Sequence, residues 1–202
     1  MTRRLLYLLL IALAAATLLA GVDRLTRERI VLQEQRRALA LLNQVIPADS
    51  YDNELVSDRY TAWIAGLDGP ATIYRARRNG DPVALVADVT TAEGYAGPIR
   101  LLVGINPQGR VLAVRVVAHQ ETPGLGDRIE AGKSDWIRQF QNRGIDDPPP
   151  DRWKPDRRGG EFDTITSATI SSSAVISAVA RVLAWYRDTG LRAFEIKSEQ
   201  KT

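Results

Sequence analysis

Residues 71–89, ATIYRARRNGDPVALVADV, decide the fold of this chain because they place two β-rich runs around Asn79-Gly80. An Asn-Gly pair between two such runs is a strong signal for a tight β-hairpin. A second pair of runs follows, IRLLVGI at residues 99–105 and RVLAVRVVAH at residues 110–119, joined by the turn Asn106-Pro107-Gln108-Gly109. The last run alternates in a way typical of a strand with one face better buried. The sequence therefore predicts two antiparallel hairpins in the middle of the chain.

Helices are predicted on both sides of these hairpins. Near the C-terminus, six apolar residues share one helical stripe that Gly190 ends: Val175, Ile176, Val179, Val182, Leu183 and Tyr186. A shorter helix is predicted near Trp136 to Phe140, before a loop rich in Asp and Pro. Strands grouped centrally, with flanking helices at the ends, predict an α+β fold.

The N-terminal segment predicts a single membrane span. Residues 5–22 carry no charge, and their number is at the lower limit of the about 20 residues that a transmembrane helix needs. A cleaved signal peptide is the alternative, since it also has a basic start and an apolar middle. The length of the run, and an exit without an obvious cleavage site, favour a retained anchor. Arginines lie on both sides of the span, so charge counting leaves its orientation open.

An irregular helical rhythm continues after the span as far as Pro47. It predicts an amphipathic helix over residues 23–47 that either docks on the globular domain or forms a spacer stalk. The predicted organisation is an N-terminal segment at residues 1–4, the span at 5–22, the connecting helix at 23–47 and a globular domain at 48–202.

Composition excludes several classes of function. Lys and Arg number 27 against 24 Asp and Glu, so nucleic acid as a partner has no electrostatic support. Cysteine is absent, which excludes disulfides, thiolate-held iron–sulfur clusters and cysteine zinc sites. His119 is the only histidine, so a multi-histidine metal site is also excluded within this chain. Any redox chemistry must come from a bound organic cofactor.

Two stretches carry the candidate chemistry: HQETPGLGDRIE at residues 119–130 and GGEFDTITSATISSSAV at residues 159–175. The second predicts a loop entering a helix whose N-cap is Ser171, Ser172 or Ser173. Thr169 would then lie just before a helix N-terminus, where backbone N–H groups and the helix dipole favour an anion such as phosphate. From the residues alone, these hydroxyls are either helix caps or part of a phosphate site.

Both stretches resemble the FMN-binding domain of the G subunit of the Rnf (Rsx) electron transport complex. The C subunit of the sodium-pumping NADH:quinone reductase shares this domain. The similarity extends to YDNEL at residues 51–55, EGYAGPIRLLVGI at 93–105 and the segment from Trp153-Lys154 to Gly159-Gly160. In that family an acidic residue precedes a Ser/Thr-Gly-Ala-Thr motif, and a flavin transferase esterifies the phosphate of FMN onto the last threonine. The resemblance implies that Thr169 is the acceptor, within a motif formed by Asp163, Thr166, Ser167 and Ala168.

Ser167 departs from the family pattern, which has glycine at this position. Glycine adopts positive φ readily and lets another backbone approach closely. A serine here predicts strain in the loop or hindrance to the flavin transferase.

The segment beginning at His119 matches the family motif His-x-Glu-Thr-Pro-Gly-Leu-Gly. The resemblance implies that the backbone at Thr122 and Gly124 lies against the isoalloxazine, with Leu125 as an apolar cover. A plain glycine loop is the alternative. Glu121 either bonds the flavin or fixes its own loop. His119 either assists a flavin proton or is a structural hydrogen-bonding residue at the strand end.

Two further residues complete the predicted site. Lys154 would meet the negative charge of the phosphodiester. Tyr95 either stacks on the flavin ring or packs within its turn.

The resemblance implies an electron-carrying subunit of a membrane-bound, ion-translocating oxidoreductase complex that carries covalent FMN. Its partners would be the other subunits of the complex and the flavin transferase, and its domain would lie on the periplasmic side of the bacterial inner membrane. One alternative is a flavin-linked periplasmic reductase, which would need a second substrate domain. The other is a scaffold subunit of the same complex without flavin.

Overall fold

The computed structural model describes residues 2–198. Met1 of the predicted N-terminal segment and residues 199–202 of the predicted globular domain lie outside the described residues. The chain divides into two compact units, residues 1–40 and residues 41–202. The first unit is helical and belongs to α1 (Thr2–Leu42). Within α1, Leu5–Asp23 is apolar and long enough to cross a membrane, with a mean hydropathy of 2.5 and no buried residue. The predicted membrane span therefore lies within a helix. The connecting helix, which was predicted to extend to Pro47, ends at Leu42.

The second unit is built on a five-stranded antiparallel sheet in which sequence neighbours are also spatial neighbours. Its strands are β1 (Arg59–Ala62), β2 (Ala71–Arg78), β3 (Asp81–Thr91), β4 (Ile99–Ile105) and β5 (Val111–Ala118). Both predicted hairpins are confirmed, as β2–β3 and β4–β5. Asn79 and Gly80 have φ of 53° and 89°, as a tight hairpin turn requires. The edge strand β1 is not among the predicted strands.

Helix α2 (Thr169–Thr189) packs on one face of this sheet. All six residues of the predicted apolar stripe are buried, and they share a core with Ile73, Leu85, Leu101 and Val103 of the strands. Gly190 follows the helix with φ of 56°, a positive angle that glycine adopts without strain. A sheet with helices before and after it confirms the α+β fold.

The last residue of α1 and the segment just after it pack within the second unit. Leu42, Val45 and Ile46 are buried. A Cβ atom on Gly104 would come within 3.0 Å of the Val45 carbonyl oxygen, so β4 and this segment touch closely. Residues 42–46 are therefore part of the globular unit.

Between β5 and α2 the chain forms short 3-10 turns at Gly126–Ile129, Trp136–Phe140, Pro150–Arg152 and Asp156–Arg158, and another at Gly190–Phe194 follows α2. The predicted short helix at Trp136 to Phe140 is confirmed as one of these. Phe140 stacks on Trp153 and on Phe162, and the tilted rings of Trp153 and Phe162 have centroids 4.4 Å apart. This aromatic cluster anchors the segment that leads into α2.

Candidate functional site

An open cleft of about 420 Å³ lies where three segments meet: the β3–β4 loop, the loop after β5 and the start of α2. This size is within the range of about 300–1,000 Å³ that is typical of small-molecule sites. The cleft brings together seven of the predicted site residues: Tyr95, Glu121, Thr122, Leu125, Ser167, Ala168 and Thr169. Gly126, Ile170 and Ser171 also line it. Gly126 belongs to the motif that begins at His119, but nothing local to the sequence marks Ile170 or Ser171 as cleft residues.

Thr169 is the first residue of α2 and is half-buried. The prediction that Ser171, Ser172 or Ser173 caps the helix is wrong, because all three lie inside its first turns. The Ser172 hydroxyl donates to the carbonyl oxygen of Ala168 at 2.9 Å, and Ser173 donates to that of Thr169 at 2.7 Å. These are the back-bonds that serine makes within helices. Thr169 therefore belongs to the helix and does not precede it.

The N-terminus of α2 opens toward this cleft. Ala168 occupies the N-cap position, and no side chain in the described part of the chain makes a capping hydrogen bond there. The first N–H groups of a helix have no partner within the helix, and they carry the positive end of its dipole. The arrangement suits an oxygen anion at the level of Thr169.

Ser167 has φ of 69°, in the left-handed region. Ser167 thus takes a backbone conformation that is natural for glycine. A side chain in this conformation costs about 1 kcal/mol. The loop is therefore mildly strained at the residue two positions before Thr169.

Glu121 is buried, and its carboxylate holds the cleft together. Oε2 accepts a hydrogen bond from the Ser171 hydroxyl at 2.5 Å, and Oε1 accepts one from the Ala96 N–H at 3.2 Å. A Cβ atom on Gly126 would lie 2.7 Å from Oε2, and one on Gly94 would lie 2.8 Å from Oε1. These hydrogen bonds tie the β3–β4 loop and the start of α2 to the loop that carries Glu121. Gly126 therefore makes room for this carboxylate, whereas Gly94 makes room above all for the Gly97 carbonyl oxygen, which a Cβ atom would approach to 2.2 Å.

His119 fixes the end of β5. Its Nδ1 accepts a hydrogen bond from the Glu121 N–H at 3.0 Å. The neutral ring then carries its proton on Nε2, which donates to Oε1 of Glu130 at 2.9 Å. Both ring nitrogens are thus engaged in structural hydrogen bonds, which matches the structural alternative for His119.

The loop after Gly126 is anchored by a second buried carboxylate. Lys133 donates to Oδ2 of Asp127 at 2.9 Å. This hydrogen bond lowers the pKa of Asp127 below its usual range. The contact steadies the 3-10 turn that ends the cleft loop.

Three apolar side chains of the cleft are exposed: Tyr95 at 68%, Ile170 at 51% and Leu125 at 45%. Exposed apolar groups gathered around a concave surface are typical of a binding site. Their flat and branched shapes suit a planar aromatic ligand.

Four predicted site residues lie outside the cleft lining: Asp163, Thr166, Lys154 and Gly124. Asp163 is exposed, and its backbone is held by Gln139 and Trp136, whose Nε1 donates to its carbonyl oxygen at 2.6 Å. Lys154 packs closely against Gly160, where a Cβ atom would overlap its carbonyl group. Gly124 has φ of 77° with open space around it. Among residues 2–198 no group of three or more His, Cys, Asp or Glu is placed to hold a metal ion.

Comparison with known proteins first gives the class of the domain: residues 94–184 match the model of the FMN-binding domain. Residues 1–45 match the RnfG N-terminal region. The chain is 41% identical over 184 residues to the G subunit of the ion-translocating oxidoreductase complex of Shewanella oneidensis, covering 90% of this chain and 86% of that protein. It is also 41% identical over 190 residues to the G subunit of the same complex from Pseudomonas aeruginosa, covering 92% and 88%. The chain therefore belongs to the family of G subunits of ion-translocating oxidoreductase complexes.

A solved structure with a lower likeness is the C subunit of the Na⁺-translocating NADH-quinone reductase from Parabacteroides distasonis. It has a TM-score of 0.41 and 18% sequence identity, and the likeness covers 64% of this chain and 65% of that one.

Proposed function

We propose that this protein is an electron-carrying subunit of a membrane-bound, ion-translocating oxidoreductase complex, and that its FMN is attached by a phosphoester bond to Thr169. One observation carries the proposal: the Thr169 residue lies both in the cleft and at the uncapped N-terminus of α2. The family model for an FMN-binding domain covers this residue. Thr169 can therefore hold a phosphate covalently while the helix stabilises the remaining negative charge.

The residues present fit FMN. The first turn of α2 would receive the phosphate, while Tyr95, Leu125 and Ile170 offer the apolar surface that an isoalloxazine ring needs. When bound, the flavin supplies the ability to accept and release electrons, which no side chain of this chain provides. The protein binds the ring, orients it and leaves one side of the cleft open to a partner.

Asp163 and Ser167 bear on maturation by a flavin transferase. The Asp163 side chain is exposed while its backbone is fixed by Gln139 and Trp136, so it presents a carboxylate at a defined place. We propose Asp163 as the residue that the transferase recognises. Ser167 supplies the required positive φ, which supports attachment despite the missing glycine.

Intact-mass measurement tests the attachment. Protein produced together with its flavin transferase should gain the mass of one FMN less one water, and Thr169→Ala should abolish this gain. Ser177→Ala is the matched control, because it removes another hydroxyl from α2 outside the cleft. The control should keep the added mass, and persistence of this mass in Thr169→Ala would exclude Thr169 as the attachment point.

The specific observation that favours a scaffold subunit without flavin is the serine at position 167. Ser167→Gly relieves the positive-φ strain and should leave the added mass in place if the wild-type chain already carries flavin. An unmodified wild-type chain that gains FMN only as Ser167→Gly would favour the scaffold function. Fluorescence of the denatured protein band gives the same answer without mass measurement.

For its location we propose a single-pass protein of the bacterial inner membrane. Residues 1–4 would lie in the cytoplasm and residues 5–22 would span the bilayer. A connecting helix would follow, and the FMN-binding domain, whose compact unit begins at residue 41 and not at residue 48, would lie in the periplasm with the other subunits of the complex. The apolar and unburied stretch Leu5–Asp23 supports the span. A reporter fused to the C-terminus should be active only on the periplasmic side. Activity on the cytoplasmic side would refute this orientation.

A further inference from the structure

The Glu121 carboxylate is an unusual group in the wall of the cleft. Its side chain is only 5% exposed, although it lines the cleft beside Thr169 and Ser171. The residue is fixed from both directions: its N–H donates to His119, and its carboxylate accepts from Ser171 and Ala96. Glu121 therefore cannot move away from a ligand in the cleft without breaking several hydrogen bonds.

No cation accompanies this carboxylate among the described residues. Its two hydrogen-bond donors, the Ser171 hydroxyl and the Ala96 N–H, are both neutral. Other acidic groups nearby do have basic partners: Asp127 is paired with Lys133, and Glu93 with Arg181. Charge interactions are stronger where water is displaced, so a group bound in the cleft experiences the Glu121 carboxylate with little screening.

We infer that Glu121 lowers the reduction potential of the flavin in this cleft, an inference that rests on the proposed function. A flavin bound here would become more negative on accepting electrons from the donor of the complex, unless an equal number of protons followed from water. A fixed carboxylate raises the free energy of the more negative, reduced form relative to the oxidised form. The flavin thereby becomes a better electron donor to its partner.

The Ser171 hydroxyl and the α2 N-terminus set the strength of this effect. The carboxylate lies beside the first turn of α2, where the helix dipole stabilises a negative charge. A phosphate on Thr169 would share the same helix N-terminus, since Thr169 and Ser171 both belong to that turn. Two anions at one helix end increase the negative potential that the ring meets.

The test is a spectroscopic redox titration of the flavinylated full-length protein in detergent. Glu121→Gln removes the charge but keeps the shape, and its midpoint potential should shift to more positive values. Ser171→Ala keeps the carboxylate and removes one of its hydrogen bonds. The midpoint potential of this variant should therefore differ less from the wild-type value than that of Glu121→Gln. Both variants should lose thermal stability, because both weaken the contacts that join the loops to α2.

A merely structural role would lower the melting temperature of Glu121→Gln and leave its midpoint potential at the wild-type value, or move it to a more negative one. Either result would overturn the inference. If Glu121→Gln does not fold, Glu121→Asp and Glu121→Asn form a second pair of equal size. The Asn variant should then have the more positive potential, and equal potentials would refute the inference.

Mass measurement on the same samples separates the two proposals. A wild-type chain without attached FMN overturns the proposed function and this inference together. A flavinylated wild type whose potential does not respond to the loss of charge at position 121 overturns only the inference.

Discussion

Ser167 illustrates how one backbone angle can matter at the residue scale. Its φ of 69° is natural for glycine and unfavourable for a side chain that contacts little. The residue is exposed, and no described residue hydrogen-bonds to its hydroxyl. The conformation is therefore imposed by the loop that enters α2 and not by the serine side chain.

Ser167→Gly should raise the free energy of unfolding by about 1 kcal/mol, since it removes the cost of the left-handed conformation. For a domain of this size that corresponds to a melting temperature higher by about 2–4 °C. Ser167→Ala is the control, because alanine keeps a Cβ atom and should melt near the wild type. Equal melting temperatures for the Gly and Ala variants would show that the loop relaxes without strain.

A second residue-scale prediction concerns the two glycines of the cleft loop. In Gly126→Ala the new Cβ atom would lie 2.7 Å from Glu121 Oε2 and 3.0 Å from Ser171 Oγ, both buried. We expect a loss of about 1–3 kcal/mol in chemical denaturation, as for other overpacked sites. Gly124→Ala meets no atom within 4 Å and suffers only from its φ of 77°, so it should lose about 1 kcal/mol. A larger loss of stability in Gly124→Ala than in Gly126→Ala would contradict the contacts assigned to Gly126.

At the element scale, the segment after α2 is tied to the sheet through buried Arg75 of β2. Arg75 donates to the carbonyl oxygens of Phe194 and Ile196 and pairs with Asp58 at 2.5 Å. Asp58 also accepts from Arg77 at 2.9 Å. Burial by itself would raise the pKa of Asp58, but the hydrogen bond from Arg77 and the charge of Arg75 outweigh it and lower this pKa. The C-terminal segment is thus held by two arginines that share the Asp58 carboxylate.

Asp58→Ala should destabilise the protein by about 3 kcal/mol at neutral pH, because it leaves Arg75 buried without its counter-charge. Asp88→Ala is the control, since Asp88 pairs with the half-exposed Arg100 and should lose at most about 1 kcal/mol. The measurement is chemical denaturation of both variants. A similar loss in both would show that Arg75 finds compensation elsewhere.

The pH dependence of Asp58 follows from the direction of its pKa. A carboxyl whose pKa is lower in the folded state contributes stability above its ordinary value of 3.8, and loses it as the pH falls through the lower folded-state pKa. Wild-type stability should therefore fall below about pH 4 more steeply than that of Asp58→Asn. If chemical denaturation at several acidic pH values gave the same pH dependence of stability for both proteins, Asp58 would not contribute to the acid sensitivity.

Sequence patterns predict these elements unequally, for physical reasons. The β2–β3 hairpin is predictable because the turn chemistry of Asn79-Gly80 is local. The start of α2 is misplaced because serine favours both caps and first-turn back-bonds. Strand β1 is missed because four residues at a sheet edge carry too little periodicity. The role of Glu121 is undecidable from sequence because its partner Ser171 lies 50 residues away.

At the scale of the whole molecule, the boundary between the two units falls at residue 41. The three buried residues Leu42, Val45 and Ile46 belong to the second unit, and Val45 lies against Gly104 of β4. A chain that begins at residue 41 should therefore fold and stay soluble without detergent.

A chain that begins at residue 48 should be less stable by several kcal/mol, because each buried apolar side chain contributes about 1.5–3 kcal/mol. Thermal unfolding of the two shortened proteins checks the difference. Equal melting temperatures would place the true boundary at residue 48, as the sequence predicts, and would make residues 42–46 a simple connector.

The contact among Glu121, Gly94 and Gly126 has a consequence for how relatives of this protein can vary. Because the carboxylate fills the space that a Cβ atom would need at Gly126, positions 121 and 126 are expected to vary together. At Gly94 a Cβ atom would lie 2.2 Å from the Gly97 carbonyl oxygen, so this position excludes a side chain whatever residue stands at 121. Gly126→Ala should be tolerated better in a chain that already carries Glu121→Ala than in the wild type, which a double-mutant cycle would detect as coupling. In a natural sequence with a shorter residue at position 121, alanine becomes less unfavourable at position 126, while position 94 stays glycine. Substitutions at this site should therefore arise in a fixed order, with the change at position 121 coming first.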